Sequence, residues 1–164
     1  MTPPTLQGFP PIIAAGARIL ILGNMPGVAS LDAQQYYAHP RNTFWPIAAE
    51  LFGFDPAAPY DDRATALTEA GVAVWDVLRS CRRVGSLDAA VQRDSMVANN
   101  FGDLFTTYPT ISRVWFNGAA AERNYRRLVA VEQPLSYATL PSTSPAHTLR
   151  FEDKLAVWRE ALSG

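Results

Sequence analysis

Residues that build covalent or metal-stabilised sites are scarce in this sequence. Cysteine occurs once, at Cys81, and histidine twice, at His39 and His147. One cysteine excludes an internal disulfide, and a single thiol does not by itself hold a structural zinc ion or an iron–sulfur cluster. Because neither histidine has a second ligand at HxxxH or CxxC spacing, we expect no bound metal ion and no cofactor.

Strong net charge and long apolar runs are also missing. The net charge is −1, so overall charge does not draw the chain to nucleic acid, and any such site has to be local. The first 16 residues lack the basic start of a secretory signal, and no apolar stretch approaches the ~20 residues of a membrane span. Together with the single thiol, these features predict a soluble cytoplasmic protein without membrane contact.

Several widespread catalytic motifs are absent as well. The sequence has no GK[ST] of a P-loop, no glycine spacing of a dinucleotide fingerprint and no GxSxG elbow of a serine hydrolase. Cys81 with a distant histidine is a remaining alternative for a nucleophile, but no spacing supports it. The chemistry has to come from other side chains.

What the sequence does contain is an alternation of short β-branched runs with amphipathic segments, in a chain of 164 residues that is 48% hydrophobic. Strands are predicted in 17–23, 72–78, 111–118 and 135–140, and helices in 42–54, 61–71, 88–106, 119–131 and 150–162, with a break at Asn99 and Asn100. This alternation predicts one domain over residues 1–164, an α/β fold with a central four-stranded parallel sheet in a three-layer α/β/α sandwich. The proline-rich segment 1–16 is predicted to be an irregular arm.

Chemically unusual segments follow the predicted strands. They are 23–45, 75–81, 116–118 and 140–146. Ligands of parallel sheets bind beyond the carboxyl ends of the strands, so these four segments are expected to converge on one edge.

Three of these segments resemble motifs of a known family. "GNMPG" followed by "YAHPRNTFW", with Pro26 and Tyr37 eleven residues apart, resembles the first motif of the uracil-DNA glycosylase superfamily. "LPSTSPA" resembles its second motif, a loop that enters the DNA minor groove, and "GVAVWD" resembles the strand whose last residue reads the extruded base. Taken together, these motifs are most similar to those of the hypoxanthine-DNA glycosylase branch.

The resemblance implies a uracil-DNA glycosylase-like fold and a monofunctional DNA glycosylase of base excision repair. Such an enzyme hydrolyses the N-glycosidic bond of deaminated bases, here hypoxanthine from deoxyinosine and, as a further option, uracil. It implies DNA as partner, with the base in a duplex or a single strand, and we expect a monomer that needs no other protein and associates with the nucleoid when it acts.

Two residues depart from the pattern of related branches. Met25 stands where those branches have a catalytic Asp or Asn, and Leu140 stands where they have His or Asn. The hypoxanthine branch shares both losses and is thought to rely on the asparagine of "PRN", which here is Asn42. We therefore predict Asn42 as the catalytic residue, whose carbonyl holds a water beside the sugar; the alternative is an N-cap of the following helix.

Base-binding roles are assigned by the same resemblance. Tyr37 is predicted to stack on the flipped base, with core packing as the alternative. Asp76 is predicted to accept the N1–H of hypoxanthine or the N3–H of uracil, with a helix cap or an arginine partner as the alternative. Asn117 is predicted to contact the pocket or form a turn, and the backbone N–H of Met25 can bind a base carbonyl.

The second-motif loop, defined here as residues 140–147, supplies the predicted DNA contacts. We predict that DNA phosphates are bound by the hydroxyls and backbone amides of Ser142, Thr143 and Ser144, and by His147. Relatives place a bulky leucine near the position of Ser144, so its small side chain predicts weaker help with base flipping. Four arginines can add a local positive rim, namely Arg41, Arg79, Arg82 and Arg83.

Two other functions remain open at this level. One is a uracil or G:U/T mismatch-specific glycosylase. The other is a catalytically silent module that only binds DNA lesions, which Met25 and Leu140 suggest because both usual catalytic side chains are missing.

Overall fold

The computed structural model describes residues 3–164. Its strands are β1 (Thr5–Gln7), β2 (Ile19–Gly23), β3 (Val72–Asp76), β4 (Leu78–Arg82), β5 (Val97–Ala98), β6 (Arg113–Asn117) and β7 (Ser136–Leu140). Its α-helices are α1 (Val28–Ala33), α2 (Phe44–Phe52), α3 (Tyr60–Glu69), α4 (Phe101–Thr107), α5 (Ala119–Leu128) and α6 (Phe151–Ser163). None of the helices within 3–164 has the length and apolar character needed to cross a membrane.

Four strands form the predicted parallel sheet in the order β3-β2-β6-β7. Side chains of β2 alternate between its two faces, so that Leu20 and Leu22 join one apolar cluster while Ile19 and Ile21 join the other. Helices α4 and α5 cover the first face, and α2, α3 and α6 cover the second. The predicted three-layer α/β/α sandwich is confirmed.

The amino-terminal arm is not irregular throughout. Strand β1 pairs antiparallel with β4, which places Leu6 opposite the buried Cys81, and Ile12 forms a bridge with Val74. Pairing with a distant strand satisfies backbone groups that the local proline content leaves without a partner in the arm itself.

The segment 88–106 is not the helix that its pattern predicts. It contains two single turns of 3-10 helix, Asp88–Ala90 and Arg93–Ser95, then β5, and only afterwards α4. Val97 pairs with Ser80 of β4, and the side chain of Asn100 caps α4 by accepting from the N–H of Asp103 at 3.0 Å. Sheet pairing and this cap override the helical periodicity before residue 101.

The strand order sets the position of the functional site. From β2, the next sheet strand in the chain, β3, lies on one side and β6 lies on the other. A crevice forms at such a reversal, outside the carboxyl ends of the strands. Here it lies between the end of β2 at Gly23 and the end of β6 at Asn117.

Candidate active site

A cavity of about 280 Å³ occupies this crevice. Eight of the nine predicted site residues line it, and the exposed His147 does not. The eight are Met25, Tyr37, Asn42, Asp76, Asn117, Ser142, Thr143 and Ser144. The four strand-end segments therefore do converge, as the topology requires.

Asn42 lies at the entrance to α2. Its Oδ1 accepts a hydrogen bond from the backbone N–H of Phe44 at 2.9 Å, although the residue directly before the helix is Thr43. A carbonyl oxygen has two lone pairs, so this bond orients the amide and leaves one lone pair for a further donor. Asn42 is therefore not the N-cap residue of the alternative prediction, but its side chain binds the first N–H of α2 while the residue lines the cavity.

Tyr36 and Tyr37 point to different surroundings. Tyr36 donates from Oη to the carbonyl of Pro10 at 2.9 Å and packs edge-on against Phe9, so it anchors the amino-terminal arm. Tyr37 stacks on Phe44 with ring centroids 4.2 Å apart. Its φ of 56° lies in the left-handed region that costs a tyrosine free energy. Packing holds Tyr37 in this uncommon conformation beside the cavity.

Asp76 ends β3 and is 4% exposed. Its Oδ2 and the Oη of Tyr37 are buried without a hydrogen-bond partner anywhere in residues 3–164. The pKa of Asp76 is raised to about 7, first by burial and then by the charge of Asp88, while the Arg83 guanidinium acts in the opposite direction. Near neutral pH this carboxyl group is divided between its charged and neutral forms.

The close approach of these two groups depends on Gly23, which pairs with Asp76 across β2 and β3. A Cβ at this position would lie 2.5 Å from Oδ1 of Asp76 and 3.0 Å from Oη of Tyr37. Any side chain at residue 23 would therefore displace the carboxyl or the phenol. Glycine is required by space here, since the backbone itself is ordinary strand.

Asn117 and Thr143 form a reciprocal pair that joins β6 to the second-motif loop. Nδ2 of Asn117 donates to Oγ1 of Thr143, and Oδ1 accepts from the N–H of Thr143, both at 2.9 Å. Thr143 is 1% exposed, so its hydroxyl cannot reach a phosphate in this conformation. The pair orients the loop, and the surface that can meet DNA comes from its neighbours.

The outer part of the loop is built from short side chains. Oγ of Ser142 accepts from the N–H of Ser144 at 3.1 Å, and Oγ of Ser144 accepts from the N–H of Ala146 at 3.2 Å. From behind, the buried Lys154 of α6 donates to the carbonyl of Ser144 at 3.2 Å. The only lysine of the chain thus supports the loop and does not line the cavity.

Comparison with known protein families identifies the family to which this chain belongs. The model of the Uracil DNA glycosylase superfamily matches residues 10–162. The chain belongs to the uracil DNA glycosylase superfamily.

Relatives within the superfamily match over nearly the whole chain. A protein named hypoxanthine DNA glycosylase from Methanosarcina barkeri (strain Fusaro) is 33% identical over 158 residues, which is 94% of this chain and 96% of the relative. A second protein of that name, from Methanosarcina acetivorans, is 30% identical over 155 residues, 93% of this chain and 94% of the relative. The solution NMR structure of a Methanosarcina acetivorans protein assigned to the uracil DNA glycosylases has a TM-score of 0.76 at 29% identity, covering 95% and 98% of the two chains.

The predicted resemblance is confirmed, and this superfamily member is a DNA N-glycosylase, a hydrolase whose substrate is DNA. Its departures from related branches are visible in the structure. Met25 and Leu140 are buried in the two different apolar clusters of the core. Because both side chains are apolar, neither presents a catalytic polar group to the cavity. Cys81 is buried in the core as well, and burial raises the pKa of its thiol, which makes a thiolate nucleophile there unfavourable.

A second group of polar residues around the glycosylase cavity is not evident from the sequence. Asn24 donates from Nδ2 to Oδ1 of Asp88 at 3.1 Å and accepts from Nδ2 of Asn124 at 2.7 Å. Arg83 is buried, and its guanidinium donates to the carbonyl of Pro26 at 2.6 Å and to that of Gly85 at 2.7 Å. The prediction that Arg83 belongs to a surface rim is wrong, because its guanidinium is buried and donates its hydrogen bonds to backbone carbonyls. The sequence signal that could have indicated this group is the position of Asn24 directly after the end of β2.

Proposed function

We propose that this DNA glycosylase removes hypoxanthine from deoxyinosine, with uracil as a second substrate. The observation that carries the proposal is the unpartnered, buried Oδ2 of Asp76, a residue that lines the cavity. A buried polar atom without a partner is costly, so a ligand that supplies a donor gains affinity. The names of the two Methanosarcina relatives support the choice of hypoxanthine.

Asp76 is proposed to select the base through its hydrogen-bond pattern. Hypoxanthine offers an N1–H that a carboxylate accepts, whereas N1 of adenine lacks a hydrogen and leaves the carboxylate unsatisfied. Uracil offers an equivalent N3–H, which favours it as the second substrate. Met25 lines the same cavity, and its backbone N–H is proposed to donate to the base carbonyl.

Asn42 is proposed to place the attacking water. In N-glycosidic hydrolysis the C1′–N bond breaks, its electron pair leaves with the base, and water adds to the oxocarbenium-like C1′ while one of its protons passes to the basic departing anion or to solvent. An amide is a weak base, so its contribution is position, and the bond from Phe44 to Oδ1 pre-sets that position. Tyr37 is proposed to stack on the extruded base with the ring face that is not packed on Phe44.

The reaction is proposed to stop at the abasic site. A lyase step needs an amine that forms a Schiff base with the sugar, and Lys154 lies outside the cavity lining. The protein is further proposed to work as a monomer, without a cofactor or a protein partner. Activity that persists in EDTA is the expected result.

Labelled oligonucleotides containing deoxyinosine, deoxyuridine, a G:T mismatch or deoxyadenosine test this proposal under single-turnover conditions. We expect alkali-labile sites at deoxyinosine and, more slowly, at deoxyuridine, with no strand cleavage before alkali. Preference for uracil or mismatched thymine would indicate a mismatch-type glycosylase instead. Binding to deoxyinosine DNA without any excision would show that the chain is a lesion-binding module, and Asn42→Ala provides the matched inactive control.

A further inference from the structure

The cavity lining outside the second-motif loop includes exposed apolar side chains. Leu87 is 60% exposed and Val28 is 45% exposed, and both line the cavity. Val84 is 73% exposed but does not line it. Large apolar side chains exposed beside a binding site usually mark a surface that a partner covers. For a DNA N-glycosylase the partner at the mouth of the cavity is the base stack.

Extrusion of a nucleotide leaves a gap in that stack. Proteins that distort DNA commonly fill such gaps with apolar wedges such as Leu, Ile, Phe, Met or Pro. The second-motif loop offers only small groups at the cavity, Ser142, Ser144 and Ala146, together with Pro145. The bulkiest exposed side chain among the lining residues is therefore Leu87, which lies outside this loop.

The backbone around Leu87 is held on both sides of the residue. Oγ of Ser86 accepts from the N–H of Val28 at 2.8 Å, and Oδ1 of Asp88 accepts from Asn24 at 3.1 Å. The carbonyl of Leu87 accepts from the N–H of Ala90 at 3.0 Å. Its neighbours are thus hydrogen-bonded to the cavity wall while its own side chain stays free.

The buried Arg83 completes this support. Its guanidinium bridges the carbonyl of Gly85, which lies two residues before Leu87, and the carbonyl of Pro26 in the cavity wall. A wedge has to be pre-organised, because ordering a loop during flipping would consume the free energy that insertion gains. Residues 83–88 meet that requirement.

We propose that Leu87 inserts into the DNA stack and occupies the space of the extruded nucleotide. This assignment rests on the DNA glycosylase activity of the chain and does not depend on which deaminated base is excised. It also explains how a small residue at Ser144 is compatible with action on duplex DNA, because the wedge is supplied from another segment.

The test compares Leu87→Ala with Val84→Ala, a matched truncation of a neighbouring exposed side chain outside the cavity, and with Pro145→Ala. Single-turnover excision is measured on deoxyinosine in a duplex and in the same strand alone. We expect Leu87→Ala to lower the duplex-to-single-strand rate ratio by at least about tenfold, and Val84→Ala to leave it unchanged. An unchanged ratio for Leu87→Ala, or a loss found only for Pro145→Ala, overturns the proposal.

A second readout keeps the proposal testable if the choice of substrate is wrong. A 2-aminopurine placed next to deoxyinosine in the duplex becomes brighter when its stacking is disrupted. Binding of the Asn42→Ala protein should raise this fluorescence, and Asn42→Ala combined with Leu87→Ala should not. Equal brightening by both proteins excludes Leu87 as the wedge even if no base is excised. Thermal melting checks that the variants are folded.

Discussion

The two walls of the cavity are built on different principles. The wall formed by residues 23–45 holds its groups by burial, with Tyr37 in a left-handed conformation stacked on Phe44 and Asn42 tied to α2. The second-motif loop is held by the pair of Asn117 and Thr143 and, from behind, by the bond from Lys154 to the carbonyl of Ser144, and it is exposed from Pro145 onward. The buried wall suits bond cleavage, because the reacting groups have to be held in position. The exposed loop suits contact with the phosphate backbone, which stays outside the cavity.

The comparison predicts the largest loss of activity for Asn42→Ala. Removing one pre-set contact to the reacting water should lower the single-turnover rate about 10²–10³-fold. The lost hydrogen bond to Phe44 should cost only about 1 kcal/mol of stability, so folding and lesion binding should persist. Excision by a quench-flow or gel assay, with melting curves for both proteins, checks this. A near-normal rate would show that a group other than Asn42 positions the attacking water.

Tyr37 should show a smaller effect that separates its ring from its hydroxyl. Tyr37→Ala removes stacking worth about 1–3 kcal/mol per base, so single-turnover excision should slow by roughly one to two orders of magnitude. Tyr37→Phe keeps the ring and removes a buried hydroxyl that has no partner within residues 3–164, so its activity should stay near normal and its stability should rise. A large loss of activity in Tyr37→Phe would instead show that Oη binds the base.

Asp76→Asn should change how stability depends on pH. The folded pKa of about 7 lies above the ordinary aspartate pKa of 3.8, so between these values the folded state binds more protons than the unfolded state. The free energy of unfolding therefore falls as pH rises from about 4 to about 7, and the full cost of the buried charge is present above that range. Asparagine carries no charge, so the variant should lose less stability between pH 5 and pH 8. Urea denaturation at both pH values measures this, and parallel behaviour of the two proteins would contradict it.

The same substitution should weaken base choice. The amide of Asp76→Asn can accept from N1–H of hypoxanthine without charge assistance and can also donate to N1 of adenine. The ratio of single-turnover rates on deoxyinosine and deoxyadenosine should therefore fall. If the ratio is the same in both proteins, Asp76 has only a structural role.

The smallest effect is expected at the exposed end of the second-motif loop, for His147→Ala. This side chain lies outside the cavity and can contribute at most a peripheral phosphate contact, so affinity for DNA should drop by less than about 1 kcal/mol. The excision rate at saturating enzyme should not change. Binding measured at several salt concentrations checks this, and a slower chemical step in the variant would show that the two walls are not separate in function.

Much of this site could be predicted before the structure was known. The continuous apolar run "ILIL" identifies β2 as a buried strand, and polar residues at strand ends, such as Asp76 and Asn117, mark the edge where a ligand binds. These features depend on local periodicity and on the topology of parallel sheets. The motif residues add Asn42 and Tyr37, and both of them line the cavity.

The sequence by itself determined the layers of this protein, the edge that carries its site and eight of the residues that line the cavity. Only the tertiary structure decided how those side chains are held. Asn24 meets Asp88 across 64 residues and Asn124 across 100, and Arg83 turns inward to hold Pro26 across 57. Local patterns contain no information on such pairs, because hydrogen-bond partners distant in sequence are selected only when the sheet and its helices bring them together.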